Sequence, residues 1–297
     1  MTAAWREGRE RGSPLGLELG LRLALYGGRT FTRVLMVPIC CYFLATAPVM
    51  RAASRQFLGR VLGRRITVLD LLHHILFFGT TLLDRVYLLT GRRSRIDVEV
   101  RDESVLQEAL ALGRGCLLLG SHLGSFELLS VVGSVEKGHR VNVVMYVDAN
   151  SRIQALLAEQ VGGLPYNVIA LGEPGAMMKA KECLERGEIV GILADRVYGT
   201  EETCRMDFLG EEASFSLAPY RLASITGAPV VMAYGLFLGG RRYRVSFAPL
   251  AARIEQDRRV ESDAKLPWVR RYVDSLEAHA REAPFNWFNF YDYWAPR

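Results

Sequence analysis

The stretch GCLLLGSHLGSFELLS, residues 115–130, decides how the rest of the chain is read. The apolar run Cys116 to Leu119 predicts a buried strand, because a strand covered on both faces has no reason to alternate. Gly120 and Ser121 end it, and a helix is predicted to begin near Gly124 or Ser125. His122 then stands at the strand end and Glu127 in the first turn of the new helix. On one continuous helix, side chains five residues apart point about 140° away from each other. With the histidine in a loop that restriction is lifted, and the two side chains can turn toward one another.

A carboxylate beside an imidazole fixes its tautomer and stabilises the imidazolium formed when the other ring nitrogen takes a proton. The pair is therefore equipped as a general base, and the helix N-terminus favours the negative charge of Glu127. Ser121 and Ser125 are close by, but neither sits in a G-x-S-x-G elbow. Direct attack by a substrate hydroxyl is preferred over a covalent enzyme intermediate. Taken alone, the spacing more often marks a structural histidine bonded at a helix start than a catalytic one.

Outward from this motif, the chain after RIDVEV (95–100) alternates short apolar runs with amphipathic stretches. That pattern predicts an α/β fold over 96–297, a mixed or largely parallel central sheet flanked by helices, with catalytic groups where strands hand over to helices. Residues 1–95 read differently. LGLRLALYGGRTF and ITVLDLLHHILFFGTTLLDRVYLL have helical periodicity and are greasy nearly all round, so a helical, membrane-associating N-terminal region is expected there.

With 50% hydrophobic and 23% charged residues in 297, disorder and collagen-like repeats are excluded. Lys and Arg total 37 against 32 Asp and Glu, and the arginines crowd the N-terminal region. Arg6, Arg9, Arg11, Arg22, Arg29 and Arg33 precede the uncharged segment Val34 to Met50, and Arg51, Arg55, Arg60, Arg64 and Arg65 follow it. Such placement suits anionic lipid headgroups or, equally, a solvated basic face. Nucleic acid is not expected, since no binding motif accompanies the charge. The uncharged segment is short for a span, which needs roughly 20 residues, and it contains Pro38 and Pro48. A monotopic or re-entrant anchor competes with a buried hairpin. The cysteines (Cys40, Cys41, Cys116, Cys183, Cys204) are odd in number and unpatterned, so neither disulfides nor zinc are expected. His122 has no ligand-spaced partners for a metal, and no P-loop is present, so no metal, ATP or other cofactor is anticipated.

SHLGSFE resembles the H-x4-D/E motif of glycerolipid-type acyltransferases, and more closely that of the lipid A biosynthesis (late) acyltransferase family. GEIVGILADR (187–196) is similar to that family's strand ending in an Asp-containing turn. DFLGEEASFSLAPYRLASITGAPVV (207–231) is similar to its F-x-G, helix and G-A-P-V segment. The N-terminal LLHHILFFGTTLLDRVYLL and the closing PFNWFNFYDYW resemble a subgroup that accompanies aryl-polyene-type pigment pathways. Arg196 stands where many lipid A enzymes have glutamine, and MYVDANSRIQ departs from their usual tyrosine-arginine-proline segment.

The resemblance implies acyl transfer from a thioester of acyl carrier protein or coenzyme A to a hydroxyl of a lipid or glycolipid, at the cytoplasmic face of a bacterial inner membrane. An acyl thioesterase of the same fold, or a catalytically silent lipid-binding scaffold, are the alternatives. On this reading His122 is the general base and Glu127 orients it. Backbone N–H groups of the Gly120 to Ser125 turn, Gly124 and Ser125 among them, or Arg196, supply oxyanion donors. Asp195 and Arg196 contact a substrate headgroup or form a strand-end salt bridge. A hydrophobic acyl channel is expected between the sheet and the N-terminal helices, with Gly79 and Gly124 in its wall. The aromatic run Trp287 to Trp294 closes one side of it or seals the core.

Overall fold

The computed structural model describes residues 14–90, 96–131, 138–146, 164–197, 199, 201–255 and 266–295. Arg6, Arg9, Arg11 and the amphipathic stretch SRIQALLAEQV (151–161) lie outside the described residues.

Four helices come first: α1 (Pro14–Gly27), α2 (Arg29–Thr46), α3 (Pro48–Leu62) and α4 (Val68–Leu89). Pro38 is accommodated inside α2, whereas Pro48 takes the first turn of α3, where a missing N–H costs nothing. Ala47 ends α2 and begins α3, and the chain bends there by 95°. The start of α4 is fixed by a capping box. Thr67 accepts from the Asp70 N–H, and the Asp70 carboxylate accepts from the Thr67 N–H at 2.9 Å. No single described helix is long and apolar enough to cross a membrane, although the bent α2–α3 pair together meets that length and composition.

The remaining elements are β1 (Asp97–Arg101), α5 (Glu103–Ala111), β2 (Cys116–Gly120), α6 (Phe126–Val131), β3 (Val141–Tyr146), β4 (Asn167–Leu171), α7 (Ala176–Glu185), β5 (Ile189–Leu193), β6 (Thr203–Phe208), β7 (Glu211–Ser216), α8 (Ala218–Thr226), β8 (Val230–Phe237), β9 (Arg242–Ala251) and α9 (Leu266–Glu282). Seven strands form one mixed sheet in the order β1-β9-β8-β2-β5-β3-β4, with β6 and β7 as a separate hairpin. Only the β8–β9 pair within the large sheet is antiparallel. β2 is buried along its whole length, as expected of a strand in mid-sheet, while edge strand β1 alternates.

The sheet divides the core in two. Leu117 and Leu119 of β2 face a cluster with α3, α7, α8, α9 and the C-terminal aromatics; Cys116 and Leu118 face α4, α5 and α6. One buried ion pair ties the N-terminal helices to the sheet. Arg29 grips Asp84 with two bonds of 2.7 and 2.6 Å, and the Tyr243 hydroxyl donates to the same carboxylate at 2.8 Å. A bidentate pair with an additional donor is the geometry in which two buried charges hold each other.

Candidate active site

Strand register brings the central groups together. β2 and β5 are parallel neighbours with Gly120 paired to Leu193, so His122 and Asp195, each two positions further on, leave the sheet side by side at its carboxyl edge. This is the edge where open α/β sheets place ligands. His122 Nδ1 lies 2.8 Å from Asp195 Oδ1, and the His122 backbone N–H donates to Asp195 Oδ2 at 3.0 Å. Trp287 Nε1 and Asn289 Nδ2 donate to that same oxygen at 2.9 and 3.0 Å. The Tyr293 hydroxyl donates to the Asp195 backbone carbonyl at 2.7 Å. An ionised carboxylate only accepts, so the proton sits on Nδ1 and Nε2 is left as the basic nitrogen.

Electrostatics agree with that assignment. Burial lowers the His122 pKa below the ordinary imidazole range, and the charge of Arg196 adds to the effect against the pull of Asp195 and Glu127. Burial alone would raise Asp195. The charge and hydrogen bonds of His122, with the charge of Arg196, outweigh it and hold the carboxyl well below the usual range. A neutral imidazole beside an ionised carboxylate is the resting state at neutral pH.

The carboxylate beside His122 differs from the one expected. The sequence puts Glu127 in the ring-holding position and Asp195 on a substrate headgroup or in a strand-end salt bridge with Arg196. Instead the Asp195 side chain is 0% exposed and its oxygens are filled by protein donors, whereas His122 keeps 21% of its side chain exposed. Glu127 pairs with Arg85 of α4, Nε to Oε1 at 3.0 Å. The reason is topological. The helix starting at Phe126 carries Glu127 toward α4, while the neighbouring strand delivers a carboxylate from 73 residues away.

Three of the turn amides expected to bind an oxyanion are committed elsewhere. His122 N–H serves Asp195, Gly124 N–H donates to Asn286 O at 2.8 Å, and Ser125 N–H donates to Gly235 O at 2.8 Å. Gly124 has φ +80°, and a Cβ there would lie 2.1 Å from Gly235 O, so the loop rests directly on β8 and only glycine fits. Gly124 and Ser125 thus hold the loop in place. Nor does Gly79 face a slot, since a Cβ there would lie 3.0 Å from Met36 Cγ in the α2–α4 contact. Arg196 is built into the C-terminal segment, Nε donating to Asn289 Oδ1 at 2.6 Å and Nη2 to Phe288 O at 3.1 Å.

That segment, expected only to seal the core or wall a pocket, forms the back of the site. Leu123 and Trp287 make an antiparallel bridge, and the Phe288 N–H donates to His122 O at 2.8 Å. Its polar members, Asn286, Trp287, Asn289 and Tyr293, are all buried. Asparagines embedded in an aromatic run were the available signal, since a buried amide must find partners. Among the described residues no group of three or more His, Cys, Asp or Glu side chains is placed to hold a metal.

The family model for bacterial lipid A biosynthesis acyltransferases matches residues 78–295. This stretch begins within α4 and contains the whole sheet, both carboxylates, His122 and the aromatic segment. The chain belongs to this family. The match is to the acyltransferase family as a whole and does not single out the pigment-pathway subgroup. No curated protein matches the chain.

In this acyltransferase family member the aromatic segment is braced from α4 as well. His74 is fully buried, with Nε2 3.0 Å from Trp287 O. A carbonyl only accepts, so Nε2 carries the proton, and Nδ1 is buried without a partner among the described residues. Burial, aided by His73, lowers its pKa to about 4. The unfolded chain therefore binds a proton that the folded chain refuses, and stability falls as pH drops from about 6.5 to about 4. The expected loss from this group is on the order of 3 kcal/mol. Urea unfolding at pH 7.5 and pH 4.5 checks it: His74→Gln, which keeps a donor for Trp287 O, should show a clearly smaller acid loss than the unaltered protein. Equal losses in both would contradict the assignment.

Proposed function

We propose that the protein is an O-acyltransferase moving an acyl group from a thioester of acyl carrier protein or coenzyme A to a hydroxyl of a lipid or glycolipid. The observation carrying this reading is His122, neutral, partly exposed, and held through Nδ1 by a buried ionised Asp195. Nε2 takes the proton of the acceptor hydroxyl as its oxygen attacks the thioester carbonyl. A C–O bond forms, the tetrahedral adduct collapses with breakage of the C–S bond, and the imidazolium returns the proton to the departing thiolate. Asp195 stabilises the imidazolium between these events. The purified protein should release thiol from long-chain acyl thioesters and form ester product when membrane lipid extract is added. Thiol release without any lipid ester would favour a thioesterase, and no release from either carrier would remove the enzymatic reading.

We also propose that the N-terminal helices dock on the cytoplasmic face of a bacterial inner membrane. This reading is supported by side chains left exposed on α2 and at the turn into α4: Phe31, Val34, Val37, Ile39, Tyr42 and, most of all, Leu69 at 75% exposed. The exposed Arg55 and Arg65 lie close by in the chain. Insertion of a large apolar side chain contributes roughly 1.5–3 kcal/mol, so Val34→Glu combined with Leu69→Glu should weaken binding to anionic vesicles at least tenfold. High salt should weaken binding without abolishing it, because screening acts only on the charge term. Sedimentation with vesicles measures both. Unchanged binding by the double variant would count against this face.

A further inference from the structure

Resting on the acyltransferase reading, we propose that His74 of α4 is a positioning residue for the reaction. Through Trp287 it sets the carboxylate that holds the general base, so the N-terminal helices form part of the catalytic unit.

The connection is continuous in hydrogen bonds. His74 Nε2 donates to Trp287 O at 3.0 Å, Trp287 Nε1 donates to Asp195 Oδ2 at 2.9 Å, and Asp195 Oδ1 lies 2.8 Å from His122 Nδ1. His74, Trp287 and Asp195 are all fully buried, so water does not stand in for any of these partners. The stretch matched by the acyltransferase family model begins at residue 78, and His74 lies ahead of it.

The backbone explains why a histidine on another element reaches the base. The Gly124 N–H donates to Asn286 O and the Phe288 N–H to His122 O, each at 2.8 Å, which ties one side of residues 286–288 to the catalytic loop. Successive carbonyls of an extended segment point to opposite sides, so the Trp287 carbonyl faces away from the loop, and His74 takes it there. The segment is gripped from both sides. The Trp287 ring also packs on Phe57 of α3, Phe208 and Tyr293, with centroids 4.8, 5.2 and 4.6 Å away. Apolar packing of this kind is non-directional and tolerates a small slide, whereas a hydrogen bond does not. Without the His74 donor a buried carbonyl is left unpaired, and the segment shifts to relieve it. That shift draws the indole N–H off Asp195. With one donor fewer, the carboxylate's charge falls more heavily on the His122 ring, which raises the ring pKa and displaces its basic nitrogen.

The experiment follows ester formation across pH, from long-chain acyl-CoA and from the acyl carrier protein thioester, in the full chain and its variants. His74→Phe should lower kcat on the order of tenfold with little change in KM, and should move the acid limb of kcat/KM upward by roughly half a unit. His74 itself titrates near 4, below that limb, so the limb reports His122. His74→Gln, whose amide keeps a donor for Trp287 O, should recover most of the rate and return the limb to its place. A residue that only stabilised the fold would move neither. Trp287→Phe removes the indole donor directly, and adding His74→Phe to it should cost clearly less than the product of the two single losses. Thermal unfolding confirms that each variant is folded; if His74→Phe is not, His74→Met, which fills irregular space, takes its place. An unmoved limb and kcat in the folded variant overturn the proposal, as do fully additive losses in the double variant. If the unaltered protein cleaves neither thioester, the acyltransferase reading fails and this inference with it. If it forms ester and the His74 variants match it, only the role of His74 is refuted.

Discussion

Replacing His122 with alanine should reduce acyl transfer by at least the 10² to 10⁴-fold that a positioned base contributes, roughly to background. The fold should survive, at a cost of about 1–3 kcal/mol, because the buried Asp195 carboxylate loses the ring's hydrogen bond. The ring is partly exposed, and its backbone contacts, to Asp195, Phe288 and the sheet, persist without it. In the unaltered protein, the acid limb of the kcat/KM profile should lie below the ordinary imidazole pKa, because burial and Arg196 disfavour the protonated ring. Steady-state rates of ester formation across pH, together with thermal unfolding of the variant, test both statements. A folded His122→Ala protein turning over at the original rate would refute the base assignment.

Asp195→Asn is expected to be nearly as severe, and for two separable reasons. The amide preserves shape but has one accepting oxygen where the carboxylate has two. At present the His122 ring, His122 N–H, Trp287 Nε1 and Asn289 Nδ2 all share that carboxylate. An amide N–H turned toward the ring would be accepted by Nδ1, which moves the ring proton to Nε2 and disables the base. The rate should fall on the order of 10² to 10⁴-fold. At least one donor left unpaired in the interior should also cost about 1–3 kcal/mol, readable as a lower urea midpoint. Linkage gives a third readout. The depressed folded pKa of Asp195 means its stabilisation is present above the ordinary carboxylate range and lost only as pH falls through the lower folded value. The variant should lack that acid-range component. Undiminished turnover by a stable Asp195→Asn protein would overturn the pairing.

What the sequence conveyed and what it hid follow from the range of the forces involved. The strand at Cys116 to Leu119 and the loop position of His122 are local matters of burial pattern and turn chemistry, and both were legible. So was the α/β alternation, which the mixed sheet matches. The partner of His122 was not, because it depends on which strand lies beside β2, and no spacing inside the motif encodes the neighbour β5. Glu127 looked like the partner because it was near in the chain. The expectation for Gly124 failed for a related reason: its φ of +80° and its contact with Gly235 involve a strand more than a hundred residues later. Pro38 and Pro48 argued against a span, yet nothing in the sequence showed that one would lie inside a helix and the other begin the next.

Because Trp287 and Asn289 hold Asp195 from 92 and 94 residues further along the chain, the order of synthesis matters. Strands β2 and β5 leave the ribosome early and can pair while the aromatic segment is still to be made. Until that segment arrives, the carboxylate lacks two of its donors and the loop around His122 lacks its bridging strand. A nascent chain therefore has its N-terminal helices before it has a finished site, and competence would come only once the segment bearing Trp287 and Asn289 is translated.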